Sequence, residues 1–256
     1  MNLLRLETVT QRFGGLIALD SITLDVAAGG VTAIIGPNGA GKTTLFNVIS
    51  GFRAPTEGRV TFDGREISGL RPEAVAKRGI VRTFQLVQLF DTLTVLENVK
   101  VGRHLHTTGG LLSALLPMRS RAIETQVHDA ARALLKQVGL ETQADTLASA
   151  LPYGQKRLLE IGRALAAEPK LLLLDEPAAG LNRGETTALA ELIRSIAAQG
   201  VTVLLIEHDM SFVMNVADRV AVLDFGRLIA QGTPAEVQKN KDVIAAYLGT
   251  MEAAHV

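Results

Sequence analysis

The stretch Gly36–Thr44, "GPNGAGKTT", decides the fold of this chain. It fits the pattern G-x-x-x-x-G-K-[ST], in which glycines let backbone N–H groups turn inward around phosphates. The apolar run Val31–Ile35 precedes it and the helix-like "TLFNVIS" follows it. A glycine-rich turn without a ligand is the alternative. The strand before the motif and the helix after it favour a nucleoside triphosphate site, because the helix N-terminus adds positive charge there.

The residues of this phosphate loop have predicted roles at the nucleotide. Lys42 is predicted to hold the β- and γ-phosphates, and the hydroxyl of Thr43 to ligate Mg²⁺. The predicted nucleotide-binding residues of the loop are Gly36, Pro37, Asn38, Gly39, Ala40, Gly41, Lys42, Thr43 and Thr44.

Two further apolar runs end in polar side chains. "LLLLDEP" puts Asp175 and Glu176 directly after a predicted strand, and "IEHD" puts His208 after another. Open parallel sheets bind ligands at the carboxyl ends of their strands. Asp175 is therefore predicted to hold Mg²⁺, and Glu176 to activate water as a general base. An acidic helix cap is the alternative for the carboxylates. A histidine at this edge is typically structural, but beside a γ-phosphate it is predicted to be catalytic.

The wider pattern predicts an α/β fold. Short apolar runs alternate with helical stretches, which is typical of a mainly parallel sheet with helices on both faces; they occupy residues 31–35, 171–174, 201–206 and 219–223. "LLRLETVTQRF", "ITLDV" and "GRVTFDGREI" alternate as antiparallel strands do. Residues from about 86 to 167 are almost wholly helical in pattern. We predict a single domain, residues 1–256, with a P-loop NTPase core, an N-terminal antiparallel β subdomain and an inserted helical subdomain at approximately 86–167.

Composition excludes several classes of protein. Lysine plus arginine (26) equals aspartate plus glutamate (26), so no bulk charge indicates nucleic acid or acidic lipid. The absence of cysteine excludes disulfides and thiolate metal sites. Aromatic residues make up 4% and tryptophan is absent, which argues against stacking on single-stranded bases. The sequence has neither a secretion signal at its start nor an uncharged run long enough to span a membrane.

Together with "LPYGQ" (Leu151–Gln155), these motifs resemble the nucleotide-binding subunits of ABC transporters, in the same order and over almost the whole chain. The resemblance implies that Phe13 stacks on adenine and that the amide of Gln85 reaches Mg²⁺ and the attacking water. A half-buried strand aromatic is the alternative for Phe13, and a solvated loop residue for Gln85.

The resemblance also implies a site shared by two subunits. "LPYGQ" then stands as a signature sequence whose Tyr153, Gly154 and Gln155 contact the nucleotide of a partner, and Ala179–Asn182 reaches across the dimer. A helix start and a turn are the alternatives. Pro152 and Tyr153 replace the family's serine and glycine, so no serine hydroxyl is available to the partner's γ-phosphate. Asn182 and Arg183 replace the commoner aspartate and proline in the cross-dimer loop.

Within the family, "FGGLIALD", "GIVRTFQLVQLFDTLTVLENV" and "DEPAAGLN" are similar to the ATPase subunits of branched-chain amino acid importers. This implies a peripheral subunit on the cytoplasmic face of the inner membrane, which binds ATP with Mg²⁺ and hydrolyses it. The implied partners are an identical or homologous ATP-binding subunit, two integral membrane permease subunits and, indirectly, an extracytoplasmic solute-binding protein, with no nucleic acid. The loop after Gln85, with Leu89 and Phe90, is expected to touch the membrane partner.

Other functions remain open at this point. Urea, amide and lipopolysaccharide-export systems share parts of the motif set. A soluble ABC-type ATPase acting on ribosomes or DNA usually carries a second cassette or a long coiled-coil insertion, which 256 residues do not hold. A small-molecule phosphoryl transferase would not need "LPYGQ". The segment 104–122 either docks a membrane subunit or packs within the helical subdomain, and its His104 and His106 are expected on a solvated surface.

Overall fold

Two β-sheets and a layer of helices make up the part of the chain that this computed structural model describes, residues 2–103 and 117–253. The strands are β1 (Asn2–Phe13), β2 (Leu16–Ala27), β3 (Val31–Ile35), β4 (Glu57–Phe62), β5 (Arg65–Glu66), β6 (Ile80–Arg82), β7 (Leu171–Asp175), β8 (Thr202–Ile206), β9 (Arg219–Asp224) and β10 (Arg227–Gly232). The helices are α1 (Lys42–Ile49), α2 (Pro72–Ala76), α3 (Val95–Gly102), α4 (Pro117–Gln137), α5 (Tyr153–Leu165), α6 (Arg183–Ala198), α7 (Met210–Val216), α8 (Pro234–Gln238) and α9 (Lys241–Ala253).

The larger sheet has the strand order β10-β9-β3-β8-β7-β6. Every neighbouring pair from β9 to β6 is parallel, and only the hairpin pair β9–β10 is antiparallel. All residues of β3, β7 and β8 are buried, as expected for strands covered on both faces. The predicted mainly parallel sheet is confirmed. The sequence missed β6, whose three residues are too few to show a period, and β10, which is half-buried.

The smaller sheet is antiparallel, as predicted, with the strand order β2-β1-β4-β5. Its inward side chains, such as Leu4, Leu6 and Leu24, join one hydrophobic cluster with Phe46 of α1 and with Leu173 of β7. The small sheet therefore packs across the helix that follows the phosphate loop, and it carries the end of β1 to the nucleotide side of the core.

A helical layer formed by α3, α4 and α5 packs on the other hydrophobic cluster. The prediction of an almost wholly helical region was wrong for residues 86–94, which form an irregular loop. The loop is held by Asn98 of α3, whose Oδ1 accepts a hydrogen bond from the Phe90 N–H (2.9 Å) and whose Nδ2 donates to the Phe90 carbonyl (3.1 Å). A side chain thus satisfies backbone groups that a helix would otherwise pair. The single-domain assignment with a helical insertion remains a prediction.

Two expectations from the sequence concern membrane-spanning helices and the segment that contains His104 and His106. None of the helices in residues 2–103 and 117–253 combines the length and the apolar character needed to cross a bilayer. His104, His106 and the rest of residues 104–116 lie outside the described residues.

The start of α5 packs against the start of α6. Pro152 is the N-cap of α5. Asn182 caps α6, and its Oδ1 accepts from the Glu185 N–H (3.0 Å) while Glu185 Oε2 accepts from the Asn182 N–H (2.9 Å). Gly154 faces this capping box so closely that a Cβ there would lie 2.4 Å from Glu185 Oε1. A Cβ at residue 154 would therefore displace the Glu185 carboxylate, so packing within the subunit favours glycine there.

The contact between Gly154 and Glu185 predicts that Gly154→Ala destabilises the chain when Glu185 is present and stabilises it when the Glu185 carboxylate is removed. Alanine is normally favoured over glycine inside a helix by roughly 0.5–1 kcal/mol. Gly154→Ala should instead lower the free energy of unfolding by about 1 kcal/mol, because Glu185 must leave its capping position. Urea denaturation of the purified chain measures this change.

In a Glu185→Ala background the same Gly154→Ala substitution should stabilise the chain, since the carboxylate is gone. An equal loss of stability in both backgrounds would contradict the contact.

Candidate functional site

The phosphate loop joins the buried strand β3 to α1. Gly41, the N-cap of α1, has φ +100°, and a Cβ there would lie 2.6 Å from the Ala18 carbonyl oxygen, so only glycine fits this turn. No side chain caps α1. The free N–H groups of the first helical turn therefore point toward the loop, where the positive end of the helix dipole favours an anion.

Lys42, the first residue of α1, turns back onto the loop that precedes it. Its Nζ donates to the carbonyls of Gly36 (2.7 Å) and Pro37 (2.9 Å). Burial lowers the pKa of the Lys42 ammonium from its ordinary value, and the nearby carboxylates of Glu176 and Asp175 oppose that shift. The cation is thus poorly hydrated, which strengthens its attraction for a phosphate.

A pocket of about 460 Å³ opens over the phosphate loop. Phe13, at the end of β1, lines it together with residues 38–44 and Glu176. The Phe13 ring is 42% exposed, and the Arg53 guanidinium covers it at 4.9 Å from the ring centroid. A planar base can therefore stack on the ring's uncovered area. The sequence missed Phe225, which also lines this pocket from the β9–β10 turn and is 84% exposed.

Glu176 is the point at which the predicted catalytic residues meet. Its Oε2 accepts a hydrogen bond from Gln85 Nε2 at 3.0 Å, and His208 Nδ1 lies 3.8 Å from the same oxygen. The three side chains come from loops after β6, β7 and β8, which are adjacent strands of the sheet. Parallel strands end at one edge, so residues far apart in sequence come together there.

Asp175, the predicted metal ligand, forms a buried ion pair that the sequence did not reveal. Its Oδ2 accepts a hydrogen bond from Arg82 Nη2 at 2.8 Å, and both side chains are less than a tenth exposed. Arg82 Nη1 donates to Asn47 Oδ1 (2.7 Å) and Ser50 Oγ (3.1 Å) on α1. The pair therefore fixes the orientation of the carboxylate relative to the phosphate-loop helix and leaves Oδ1 outside that bond.

Glu207 is a second buried acid that sequence reasoning passed over, although it adjoins His208 in "IEHD". Its Oε1 accepts from the Ala178 N–H (2.8 Å) and its Oε2 from the His208 N–H (3.1 Å). Burial raises the pKa of the Glu207 carboxyl, and these backbone bonds oppose the shift. Glu207 therefore joins the loop after β7 to the loop after β8, and so fixes the backbone on both sides of the predicted catalytic cluster.

The "LPYGQ" residues lie apart from this pocket. Tyr153 begins α5 and is 45% exposed, while Gly154 is buried against Glu185. Of the described residues that line the pocket, none belongs to Leu151–Gln155. Within one chain the structure therefore brings together Phe13, the phosphate loop, Gln85, Glu176 and His208, and leaves the signature sequence outside. The individual roles of all these residues remain predictions.

Known proteins share this arrangement over nearly the full length of the chain. The sequence pattern of the ABC transporter family matches residues 19–179, and the pattern of the branched-chain amino acid ATP-binding cassette transporter matches residues 227–253. The high-affinity branched-chain amino acid transport ATP-binding protein LivG of Salmonella typhimurium is 45% identical over 249 residues, which cover 96% of this chain and 98% of LivG.

Solved structures agree in fold. An ATP-binding cassette of an ABC transporter in its ADP conformation has a TM-score of 0.84 at 37% identity, covering 97% of this chain and 99% of that one. A dimeric cassette in a post-hydrolysis state, bound to ADP and Pi, has a TM-score of 0.76 at 27% identity, covering 90% of this chain and 98% of that one. From the family match over more than half of its length and the relatives that cover nearly all of it, this chain belongs to the ABC transporter family of ATP-binding proteins.

Proposed function

We propose that this chain hydrolyses ATP with Glu176 as the general base, in a dimer that powers branched-chain amino acid import through a membrane permease. The observation that carries the chemistry is the convergence of Gln85 and His208 on one carboxylate oxygen of Glu176, at the wall of the pocket formed by the phosphate loop. Phe13 receives the adenine base, and Lys42 with the N–H groups of α1 holds the phosphates.

Three side chains at this edge of the sheet carry donor atoms that fit Mg²⁺, and one of them, Thr43, lines the pocket. Thr43 contributes a hydroxyl in the first turn of α1, Asp175 a carboxylate oriented by Arg82, and Gln85 an amide oxygen, all hard oxygen ligands of the kind Mg²⁺ prefers. Bound there, Mg²⁺ would neutralise charge on the β- and γ-phosphate oxygens. Gln85 can serve both groups, because its Nε2 is directed at Glu176 and its Oε1 is not used in that bond.

In the hydrolytic step, Glu176 takes a proton from water as the water oxygen bonds to the γ-phosphorus. The bond from that phosphorus to the bridging oxygen breaks, and ADP carries away the electron pair. Gln85 donates to Glu176 and so restricts the direction of the carboxylate. His208 Nδ1 lies 3.8 Å from the same oxygen, close enough to donate a hydrogen bond to it after a small side-chain rotation.

The first test is Glu176→Gln. The amide cannot accept the proton, so kcat should fall by roughly 10²–10⁴-fold. ATP affinity, measured by direct titration, should remain within about threefold of wild type, since no phosphate contact is lost. Glu191→Gln, an exposed glutamate on α6, is the matched control and should alter neither quantity. Turnover by the Glu176→Gln chain close to wild type would remove Glu176 from the role of base.

The second element of the proposal is a composite site shared by two copies. Tyr153 and Gln155 stand at the start of α5, outside the pocket of their own chain, and Tyr153 is exposed. A cassette of the same fold has been solved as a dimer bound to ADP and Pi. In a two-fold arrangement, the start of α5 of each copy faces the γ-phosphate held by the other.

Complementation between two defective chains tests this arrangement. Tyr153→Glu puts a carboxylate at the exposed start of α5, where it should repel the partner's γ-phosphate, and Lys42→Ala removes the phosphate cation. Each variant alone should be inactive. In an equal mixture, half the dimers are mixed and each has one intact site, so about a quarter of wild-type turnover should return. A fully active Tyr153→Glu chain, or a mixture without recovery, would contradict the composite site.

The third element is a permease. A groove of about 520 Å³ lies between the edge strand β6, the loop after it, and helices α3 and α5. Phe90 and Leu89 line it, and Phe90 is 48% exposed with the Arg163 guanidinium 5.7 Å from its ring centroid. An exposed apolar side chain beside a cation is suited to an amphipathic helix of a partner. We propose that, in the dimer, this groove and its copy in the partner subunit face the two permease subunits at the cytoplasmic face of the inner membrane.

The transported solute is inferred from similarity. LivG of Salmonella typhimurium is a branched-chain amino acid transport protein, and the C-terminal residues 227–253 match the pattern of that group. We therefore propose branched-chain amino acids as the solutes, delivered by an extracytoplasmic solute-binding protein.

Phe90→Ala tests the groove. Truncating an interface aromatic should lower uptake into vesicles that hold the complete transporter by roughly tenfold or more. ATP hydrolysis by the isolated chain should not change, because Phe90 lies outside the nucleotide pocket. Ile244→Ala, which alters an equally exposed apolar residue on α9, is the control. Full uptake with Phe90→Ala would show that this residue does not dock the permease.

A further inference from the structure

Arg157 is the largest side chain that is fully enclosed within the described residues. It lies in the second turn of α5, and its Nη1 forms an ion pair with Glu160 Oε2 at 2.9 Å. Burial raises the pKa of the Glu160 carboxyl, and the guanidinium opposes that shift. Its Nε has no hydrogen-bond partner, so the guanidinium is held through Nη1 and Nη2. Because burying a charged group is costly, the identity of the partners of these two nitrogens shows what the residue is there to hold.

Those partners are backbone carbonyls of the two catalytic loops. Arg157 Nη1 donates to the Phe84 carbonyl at 2.7 Å, and Nη2 donates to the carbonyls of Glu176 (2.9 Å) and Gln85 (3.2 Å). Glu160 Oε1 accepts from the Phe84 N–H at 3.4 Å. One guanidinium therefore joins the loop after β6 to the loop after β7, and joins both to α5.

These bonds fix the peptide from which the Glu176 side chain projects. Glu176 has φ +46°, in the left-handed region that non-glycine residues rarely adopt. Its N–H donates to the Ile206 carbonyl at 3.0 Å, and its carbonyl accepts from Arg157. With both backbone groups held, the direction of the Cα–Cβ bond is set. Gln85, whose amide donates to this carboxylate, has its own carbonyl bound to the same guanidinium.

Packing alone does not explain this residue. A buried ion pair is seldom more stabilising than apolar side chains of the same volume. What arginine adds is a planar fork that can hold several acceptors in fixed directions. Here three acceptors belong to residues at, or next to, the catalytic cluster.

We propose that Arg157 is a positioning residue for ATP hydrolysis. Its hydrogen bonds from α5 hold the backbone of Glu176 and of Gln85, and so keep the carboxylate and the amide in their relative positions. This inference rests on the proposed role of Glu176 as the general base. Because α5 also begins with the residues that we place against the partner's nucleotide, Arg157 links that end of the helix to the proposed base through hydrogen bonds.

The test replaces the pair as a whole, so that no buried charge is left without a partner. In Arg157→Met/Glu160→Met, kcat should fall roughly 10- to 100-fold, because displacement of a catalytic group by about 1 Å costs on the order of 100-fold. The Kd for ATP should stay within about threefold, since the phosphate loop is untouched. The matched control is Arg103→Met/Glu168→Met, which removes an ion pair (3.1 Å) elsewhere in the helical layer and should leave kcat within about twofold.

Two results would overturn the inference. The first is a kcat less than about threefold below wild type in the Arg157 and Glu160 double variant. The second is a loss of ATP affinity as large as the loss of kcat, which would assign Arg157 to folding alone. If the double variant does not fold, Arg157→Lys replaces it, because lysine keeps the charge beside Glu160 but cannot hold three carbonyls as a fork. The same kcat and Kd criteria then apply.

Glu176→Gln, measured in parallel, separates this inference from the proposed function. If Glu176→Gln retains turnover, the general-base assignment fails, and the proposed role of Arg157 as its positioning residue fails with it. If Glu176→Gln loses turnover while the double variant keeps it, only the role of Arg157 fails.

Discussion

The structure depends on one constraint: strands β3, β7 and β8 are buried on both faces, and their ionisable side chains lie only at or beyond their carboxyl ends. The three strands are neighbours and parallel, so their polar ends lie along a single edge of the sheet. The phosphate loop follows β3, and His208 follows β8. Asp175 is the last residue of β7, and Glu176 comes directly after it. The hydrophobic effect that hides the strands therefore also assembles the polar groups.

Buried charges then set the fine geometry of that edge. Arg82 holds Asp175, Arg157 holds the backbone of Gln85 and Glu176, and Glu207 joins the loops after β7 and β8. Each of these side chains is almost fully buried, and each is bonded to more than one segment of chain. Because leaving such a group without a partner is costly, the segments cannot separate independently. The loops at this edge are thereby held in place although they carry little regular structure.

Helix α5 connects the three surfaces on which the proposed function depends. Its first turn contains Tyr153 and Gln155. Arg157, in its second turn, donates hydrogen bonds to the loops that contain Gln85 and Glu176. Farther along the helix, Arg163 lines the groove beside Phe90. Glu160 belongs both to the Arg157 pair and to that groove. If the proposed permease and partner subunit bind where we place them, helix α5 connects both of them physically to the proposed base.

The sequence by itself determined the class of sheet, the antiparallel N-terminal strands, the phosphate loop and the order of the motifs. These follow from local chemistry: fully apolar runs indicate strands covered on both faces, and "GPNGAGKTT" needs only its flanking strand and helix to be recognised. The tertiary structure alone decided that residues 86–94 are a loop and that Gly154 packs on Glu185. It also decided that Arg82, Arg157 and Glu207 join loops which are distant in the chain. The hydrophobic period of a strand or helix does not reveal the hydrogen-bond partners of an arginine on it. Those partners depend on which loops the packed sheet brings within hydrogen-bond distance.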